Sequence, residues 1–268
     1  MEPPTWAPEG VSLDVPSAAR VYDYLLGGSH NSAADREFAR QALEEFPDVA
    51  AASRANRAFL YRAVRFLVES GIRQFLDIGS GIPTVGNVHE VAQRAAPDTR
   101  VVYVDIDPVA VAHSRALLAD NDRADVVQAD LRDPDGILDS PQVQNLLDLD
   151  QSVGLLMVAI LHVIPDADDP AGLVARFRDA VGPGSYLAIG HATGDSRPTD
   201  AAKMQEISRR LPTPVTLRSH QQISRFFDGF DLVEPGLVWV PSWRPDPGDQ
   251  PDPNPAWSVN YGGVGRKR

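Results

Sequence analysis

A three-layer α/β domain with a mostly parallel sheet is what this chain predicts, and three observations carry the prediction. Four short apolar runs recur, at residues 75–78, 101–104, 125–129 and 153–159. Segments of helical periodicity separate them, giving the alternation β-α-β-α-β-α-β. Each run delivers polar residues at or just past its carboxyl end: Gly79-Ser80-Gly81, Asp105, Asp130 and His162. That is the edge at which open parallel sheets bind ligands.

The first run sets the theme. Phe75, Leu76 and Ile78 are apolar, Asp77 interrupts them, and Gly79-Ser80-Gly81 follows. An acid inside a buried strand costs free energy unless something uses it. The glycines remove Cβ atoms and let the backbone come close to a nucleotide-like ligand. The remaining elements follow in order. Residues 1–16 are Pro-rich and without periodicity, and read as a tail. Ser17 is placed to cap a helix that carries Val21, Tyr24 and Leu25 and stops at Gly27-Gly28. Further helices are expected over 35–45 and 53–69, then crossover helices at 87–95 and 108–118 and a crossover through 134–148. After helix 171–181 come a fifth strand at 185–190 and helices at 201–210 and 221–227. The last strands are expected near 231–240 and 259–264, with the Pro-rich residues 244–255 as an extended loop between them. The sequence thus divides into a tail (1–16), a helical region preceding the sheet (17–70) and an α/β core (71–268).

Composition bounds the function. The 268 residues are 43% hydrophobic, enough for one sizeable core. There is no cysteine, so no disulfide, thiolate zinc site or cysteine nucleophile. The formal charge of −12 repels polyanions, so nucleic acid is not an expected partner. No apolar stretch reaches membrane-span length and residues 1–6 lack the features of a signal peptide, so no membrane is expected and the expected location is the cytoplasm. The six histidines have no metal-ligand spacing, and no metal is expected. Oligomeric state is not readable.

Several of these residues resemble a known family. Asp77-Ile78-Gly79-Ser80-Gly81 is similar to the first motif of class I S-adenosylmethionine-dependent methyltransferases. Asp105 corresponds to the acid ending their second strand, and Asp130-Leu131 to their third motif. Residues 160–166 resemble the segment after strand four in small-molecule methyltransferases. Arg20-Val21-Tyr22-Asp23-Tyr24-Leu25-Leu26-Gly27-Gly28 and Arg54-Ala55-Asn56-Arg57 resemble a narrower actinobacterial set, long known as a domain of unknown function. The resemblance implies a Rossmann-like fold with a seven-stranded, mostly parallel sheet and an N-terminal helical lid over residues 17–70. It implies S-adenosyl-L-methionine as cofactor and a small-molecule methyl acceptor.

Each candidate residue has a role and a plainer alternative. The loop Gly79, Ser80 and Gly81 would cradle the cofactor, although position 84 is Thr where a dinucleotide fingerprint needs Gly, and position 83 is Pro. Asp105, with Ile106 beside it, can accept hydrogen bonds from vicinal ribose hydroxyls; the alternative is helix capping, for which Asp107 is better placed. Asp130 can accept from an adenine amino group and Leu131 can offer its N–H to a ring nitrogen; Asp130 is otherwise a turn residue. The resemblance puts Asp77 near the cofactor's amino group and Ala159 on the cofactor's wall; Asp77 is otherwise a buried acid satisfied by backbone N–H groups. Tyr22 can offer cation–π attraction to a sulfonium, Arg20 or Arg57 a bidentate grip on a carboxylate, and Asn56 a further polar contact. For all of these, packing within the helices is the alternative. His162 can take a proton from the acceptor or can brace the loop before Pro165, and His191 can line the acceptor pocket.

Two rivals stay open. A nicotinamide oxidoreductase would need the third glycine and a Tyr-x-x-x-Lys pair, and neither lysine has a tyrosine four residues before it. A cofactor-binding protein without catalysis would keep the same pocket. No Asn-Pro-Pro-Tyr or Asp-Pro-Pro-Tyr follows the fourth run, which argues against methylation of DNA bases.

Overall fold

Strands expected from apolar runs and helices expected from 3.6-residue spacing assemble into one mixed sheet flanked by helices. The structure is a computed structural model and describes residues 7–8, 11–84 and 86–268. Of the expected tail, residues 1–6, 9 and 10 therefore lie outside the described residues.

Three helices precede the sheet: α1 (Ala18–Leu25), α2 (Ala33–Glu45) and α3 (Val49–Glu69). Next come β1 (Gln74–Ile78), α4 (Val88–Ala95), β2 (Arg100–Asp105), α5 (Pro108–Leu117) and β3 (Ala124–Gln128). The crossover from β3 is two short helices, α6 (Pro134–Leu138) and α7 (Pro141–Leu146), each started by a proline and capped by the side chain before it, Asp133 or Ser140. Then follow β4 (Gly154–Val158), α8 (Pro170–Ala180), β5 (Tyr186–Ala192), α9 (Pro198–Ser208) and α10 (His220–Ser224). The chain closes with β6 (Phe230–Leu232), β7 (Val238–Trp239) and β8 (Asn260–Lys267).

The strand order is β3-β2-β1-β4-β5-β8-β6, with β7 also on β8. Strands β1 to β5 are parallel; β8 runs antiparallel between β5 and the last strands. Residues 231–240 do not form the single strand expected. Residues 233–237, with Pro235 and Gly236, divide it into β6, which pairs Lys267 to Gly265, and β7, which pairs Gly262 and Tyr261. The two share one edge of β8, so eight strands occupy seven positions.

The third helix is not part of a lid. Its face Phe59, Leu60, Ala63, Val64 and Leu67 is buried with β1, β4 and β8 residues in one core layer. The Phe59 ring fills the space over Gly262, where a Cβ would come 2.9 Å from it, and meets Trp243 edge-on at 5.3 Å. Truncating Phe59 to Ala would cost about 3–5 kcal/mol. The boundary expected at residue 70 moves to the turn before α3. Of the three helices that precede the sheet, α1 and α2 stand apart from it, and their apolar face (Val21, Leu25, Ala39) closes on Leu211.

Candidate functional site

The carboxyl ends of β1 to β5 open into a cleft of about 1030 Å³, roofed by α1, α2, α9 and residues 211–216. Its floor begins with the glycine turn. Gly79 and Gly81 both adopt positive φ (75° and 68°), a region open to glycine at little cost. The Gly79 and Ser80 N–H groups donate to the Val104 carbonyl at 2.8 and 3.1 Å. The Gly81 N–H donates to Asp105 Oδ2 at 2.7 Å, so β2 holds the loop leaving β1. A Cβ on Gly79 would lie 2.5 Å from Ile160 Cγ1. Ile160 follows Ala159, a non-glycine residue at φ 65° whose N–H is held by the Gly190 carbonyl.

At the tip of β2, Asp105 is buried and both its oxygens accept backbone N–H groups, from Gly81 and from Asp107 at 2.9 Å. Burial pushes its carboxyl up to about 6 despite those bonds. Asp107, not Asp105, caps α5, accepting the Val109 N–H at 2.8 Å. Ile106 between them is 58% exposed and faces the cleft. At the tip of β3, Asp130 lies on the wall in a fork-shaped pair with Arg132, Nη2 to Oδ2 at 2.5 Å, which holds its carboxyl below the usual range. Leu131 is buried against the same wall.

Asp77 lies one layer deeper. It lines a void of about 10 Å³, room for one water, with Arg57, Ser80, Asn87 and Tyr103. Among the described residues no group hydrogen-bonds its carboxylate. Burial drives its pKa up to about 7, against the pull of the Arg57 guanidinium. Arg57, held by Tyr61 and Thr84 hydroxyls, reaches both this void and the main cleft. Two polar side-chain atoms on the cleft wall, Asn56 Oδ1 and Ser80 Oγ, are buried with no partner among the described residues. Asn56 sits over Gly190, and its amide donates weakly to the Tyr22 hydroxyl at 3.4 Å. Tyr22 in turn donates to the Ser53 carbonyl at 3.0 Å and lines the cleft, while Tyr24 packs with the α1–α2 cluster.

Arg20 corrects an expectation. It is 3% exposed, and its guanidinium is spent within the fold: Nε on Asp35 at 2.8 Å, Nη1 on Asp107 at 3.3 Å, Nη2 on the Val15 carbonyl at 2.7 Å. No free fork remains for a ligand carboxylate. Ser17 is likewise diverted, since its hydroxyl bonds Asp107 instead of capping α1. These links draw residues 11–17 against Ile82 and α5 and make them a wall of the cleft. Asp23 and Gly28 explain the rest of that signature: Asp23 holds the His30 N–H and Asn31 side chain, and a Cβ on Gly28 would strike its carboxylate.

The histidines also depart from expectation. His191 is fully buried away from the cleft, donating from Nδ1 to the Ala192 carbonyl and accepting at Nε2 from Arg218. His162 lines the cleft, but its Nδ1 receives the Ala192 N–H at 3.4 Å. A backbone N–H can only donate, so the neutral ring carries its proton on Nε2. Burial and the nearby Arg218 lower its pKa to about 4. In that tautomer Nε2–H is a donor and the Nδ1 lone pair is held by the Ala192 N–H.

The apolar roof was missed, although Met204, Ile207, Ser208 and Leu211 recur at helical spacing in the sequence. Among the described residues no group of three or more His, Cys, Asp or Glu side chains is placed to hold a metal ion, and no helix is long and apolar enough to cross a membrane.

Residues 4–268 match the family model described as S-adenosyl methyltransferase. The chain is similar to a "putative methyltransferase" from Thermobifida fusca, with 42% identity over 99% of this chain and 100% of that one, and a TM-score of 0.93. It is similar also to a DUF574 family protein from Streptomyces avermitilis, with 40% identity, coverage of 96% and 99%, and a TM-score of 0.89. Human N-acetylserotonin methyltransferase in complex with SAM shares the fold alone: 13% identity, coverage of 94% and 60%, TM-score 0.51. No curated protein matches. The whole length of the described α/β domain, glycine turn and strand-end acids included, falls within that family model, and the chain belongs to the S-adenosyl methyltransferase family.

Proposed function

We propose that this protein transfers a methyl group from S-adenosylmethionine to a small-molecule acceptor by direct in-line displacement. The observation that carries the reading is the pair of buried polar atoms without a partner among the described residues, Asn56 Oδ1 and Ser80 Oγ, beside the glycine turn and Arg57. Orphaned buried polar atoms are uncommon in a folded protein, and a ligand rich in polar groups would satisfy them. The residues fit an adenosyl amino acid. Asp105 keeps lone pairs for ribose hydroxyls, and the exposed Ile106 offers an apolar face to a base. Arg57 takes over the carboxylate grip that Arg20 cannot provide. Asn56 and, through its one-water void, Asp77 suit an ammonium group. Asp130 and Leu131 lie at the adenine end.

When bound, S-adenosylmethionine supplies a methyl group on a positively charged sulfur, which leaves as a neutral thioether. The protein contributes alignment and exclusion of water. Tyr22, the wall of residues 11–17 and the apolar roof close over the site, His162 keeps its proton on Nε2, where it orients an acceptor oxygen, and the proton that a hydroxyl acceptor gives up as the O–CH3 bond forms passes to solvent at the cleft mouth.

Calorimetric titration with S-adenosylmethionine, S-adenosylhomocysteine and NAD tests the reading. Micromolar binding of the two sulfur compounds and none of NAD is expected. Binding of NAD alone, or of none of the three, rejects it.

A further inference from the structure

The geometry points to a neutral, largely apolar methyl acceptor whose oxygen accepts a hydrogen bond from His162. This inference rests on the methyl-transfer reading and deepens it by naming the substrate class. At about 1030 Å³ the cleft stands at the top of the roughly 300–1,000 Å³ range of small-molecule sites, with room for a cofactor and a second molecule.

The charges on its wall are segregated. Asp105, Asp107, Asp130 and Arg132 follow the ends of β2 and β3, Arg20 is consumed by Asp35 and Asp107, and Arg57 stands by the glycine turn. The other half is walled by Phe38 and Phe46 below α1, Val49 at the start of α3, and Met204, Ile207 and Leu211 opposite. No charged side chain from α2, α9 or residues 211–216 reaches it among the described lining residues. A phosphate, carboxylate or ammonium placed there would lose its hydration with no counter-charge in return. A flat or branched hydrocarbon would lose nothing and would gain the burial of its apolar surface.

Uncharged hydroxyls (Ser208, Thr213 and Thr216) are the polar groups of this wall, and His162 stands with them on the cleft lining. His162 receives the Ala192 N–H at Nδ1 and meets His191 edge-on at 5.6 Å, which leaves Nε2–H without a partner among the described residues. It selects an oxygen that can accept a hydrogen bond at the point where the acceptor meets the transferred group.

The test uses the full chain saturated with S-adenosylhomocysteine, titrated with 1-naphthol, 1-methylnaphthalene and 1-naphthyl phosphate. We expect 1-naphthol to bind at least about tenfold more tightly than the phosphate, as the cost of burying an unpaired charge dictates. Ile207→Glu should weaken 1-naphthol about tenfold or more while the affinity for S-adenosylhomocysteine holds within about twofold. Thr213→Glu, at an exposed position on the cleft rim, repeats the test without risk to folding. His162→Phe should abolish a preference of about fivefold for 1-naphthol over 1-methylnaphthalene, the worth of one neutral hydrogen bond. Equal or tighter binding of the phosphate, no binding of 1-naphthol to the saturated protein, or an unchanged preference in His162→Phe overturns the inference alone. Failure of S-adenosylhomocysteine to bind at all overturns the methyl-transfer reading beneath it.

Discussion

Asp105 reaches across from β2 and accepts the Gly81 N–H at 2.7 Å, so the acid at one strand end sets the shape of the glycine turn at the next. The residue has two tasks: it braces the loop with its backbone-facing lone pairs and presents the remaining ones to the cleft. Asp105→Ala should therefore weaken S-adenosylhomocysteine binding by about 1–3 kcal/mol, read by calorimetry. Asp105→Asn should recover only part of this, because an amide has one acceptor oxygen for two N–H partners. Unchanged affinity in both variants would reduce Asp105 to a turn residue.

Gly79 and Ile160 are a second coupled pair. A Cβ on Gly79 meets Ile160 Cγ1 at 2.5 Å, and its φ of 75° strains any other residue. Gly79→Ala should lower stability by about 1–3 kcal/mol through overpacking, with the dihedral cost of about 1–2 kcal/mol in addition. Removing the clash by Ile160→Ala in the same chain should return the packing part and leave the dihedral part. A double-mutant cycle in urea measures this, and additive effects would disprove the contact.

Arg20 predicts a stability phenotype rather than a binding one. Arg20→Ala strands Asp35 and Asp107, each less than a tenth exposed, and should cost about 3–5 kcal/mol in a denaturant melt. A variant that kept full stability and lost only cofactor affinity would restore the carboxylate-grip role to Arg20.

Asp77 predicts a pH dependence of known sign. Its carboxyl is raised from 3.8 to about 7, chiefly by burial, so the folded state prefers the protonated form. That contribution is whole below about pH 4 and is lost as pH rises through 7, a range worth about 4 kcal/mol against the ionised form. Asp77→Asn should therefore stabilise the ligand-free protein at pH 8, with the gain shrinking as pH falls and vanishing near pH 4. Thermal melts across that range decide it; a gain independent of pH would mean that Asp77 does not titrate in this window. If the ammonium contact holds, the same variant should bind S-adenosylhomocysteine more weakly at pH 8.

Much of this was legible in the chain. The four apolar runs place β1 to β4, because a strand buried on both faces has to read as a short hydrophobic stretch. Asp107 before Pro108 announces its own helix cap, and the glycines after Ile78 announce a turn. The split of β6 from β7 was not legible, since it depends on residues 230–232 and 238–239 pairing separately with β8, which lies further along the chain.

Local sequence determined the parallel β1–β5 frame and the order in which Asp77, Gly79, Gly81, Asp105 and Asp130 arrive at one sheet edge. Period, turn chemistry and strand alternation act over a few residues and can be read without a partner. Which charges remain available was decided only by tertiary structure. Arg20 is consumed by Asp35 and Asp107, 15 and 87 residues away, while Arg57 opens to the cleft and the Asn56 side-chain oxygen has no partner among the described residues. The proton on His162 is fixed by an N–H thirty residues on. A side chain's chemistry is set by whichever groups share its buried space, and in this fold those groups come from distant parts of the chain.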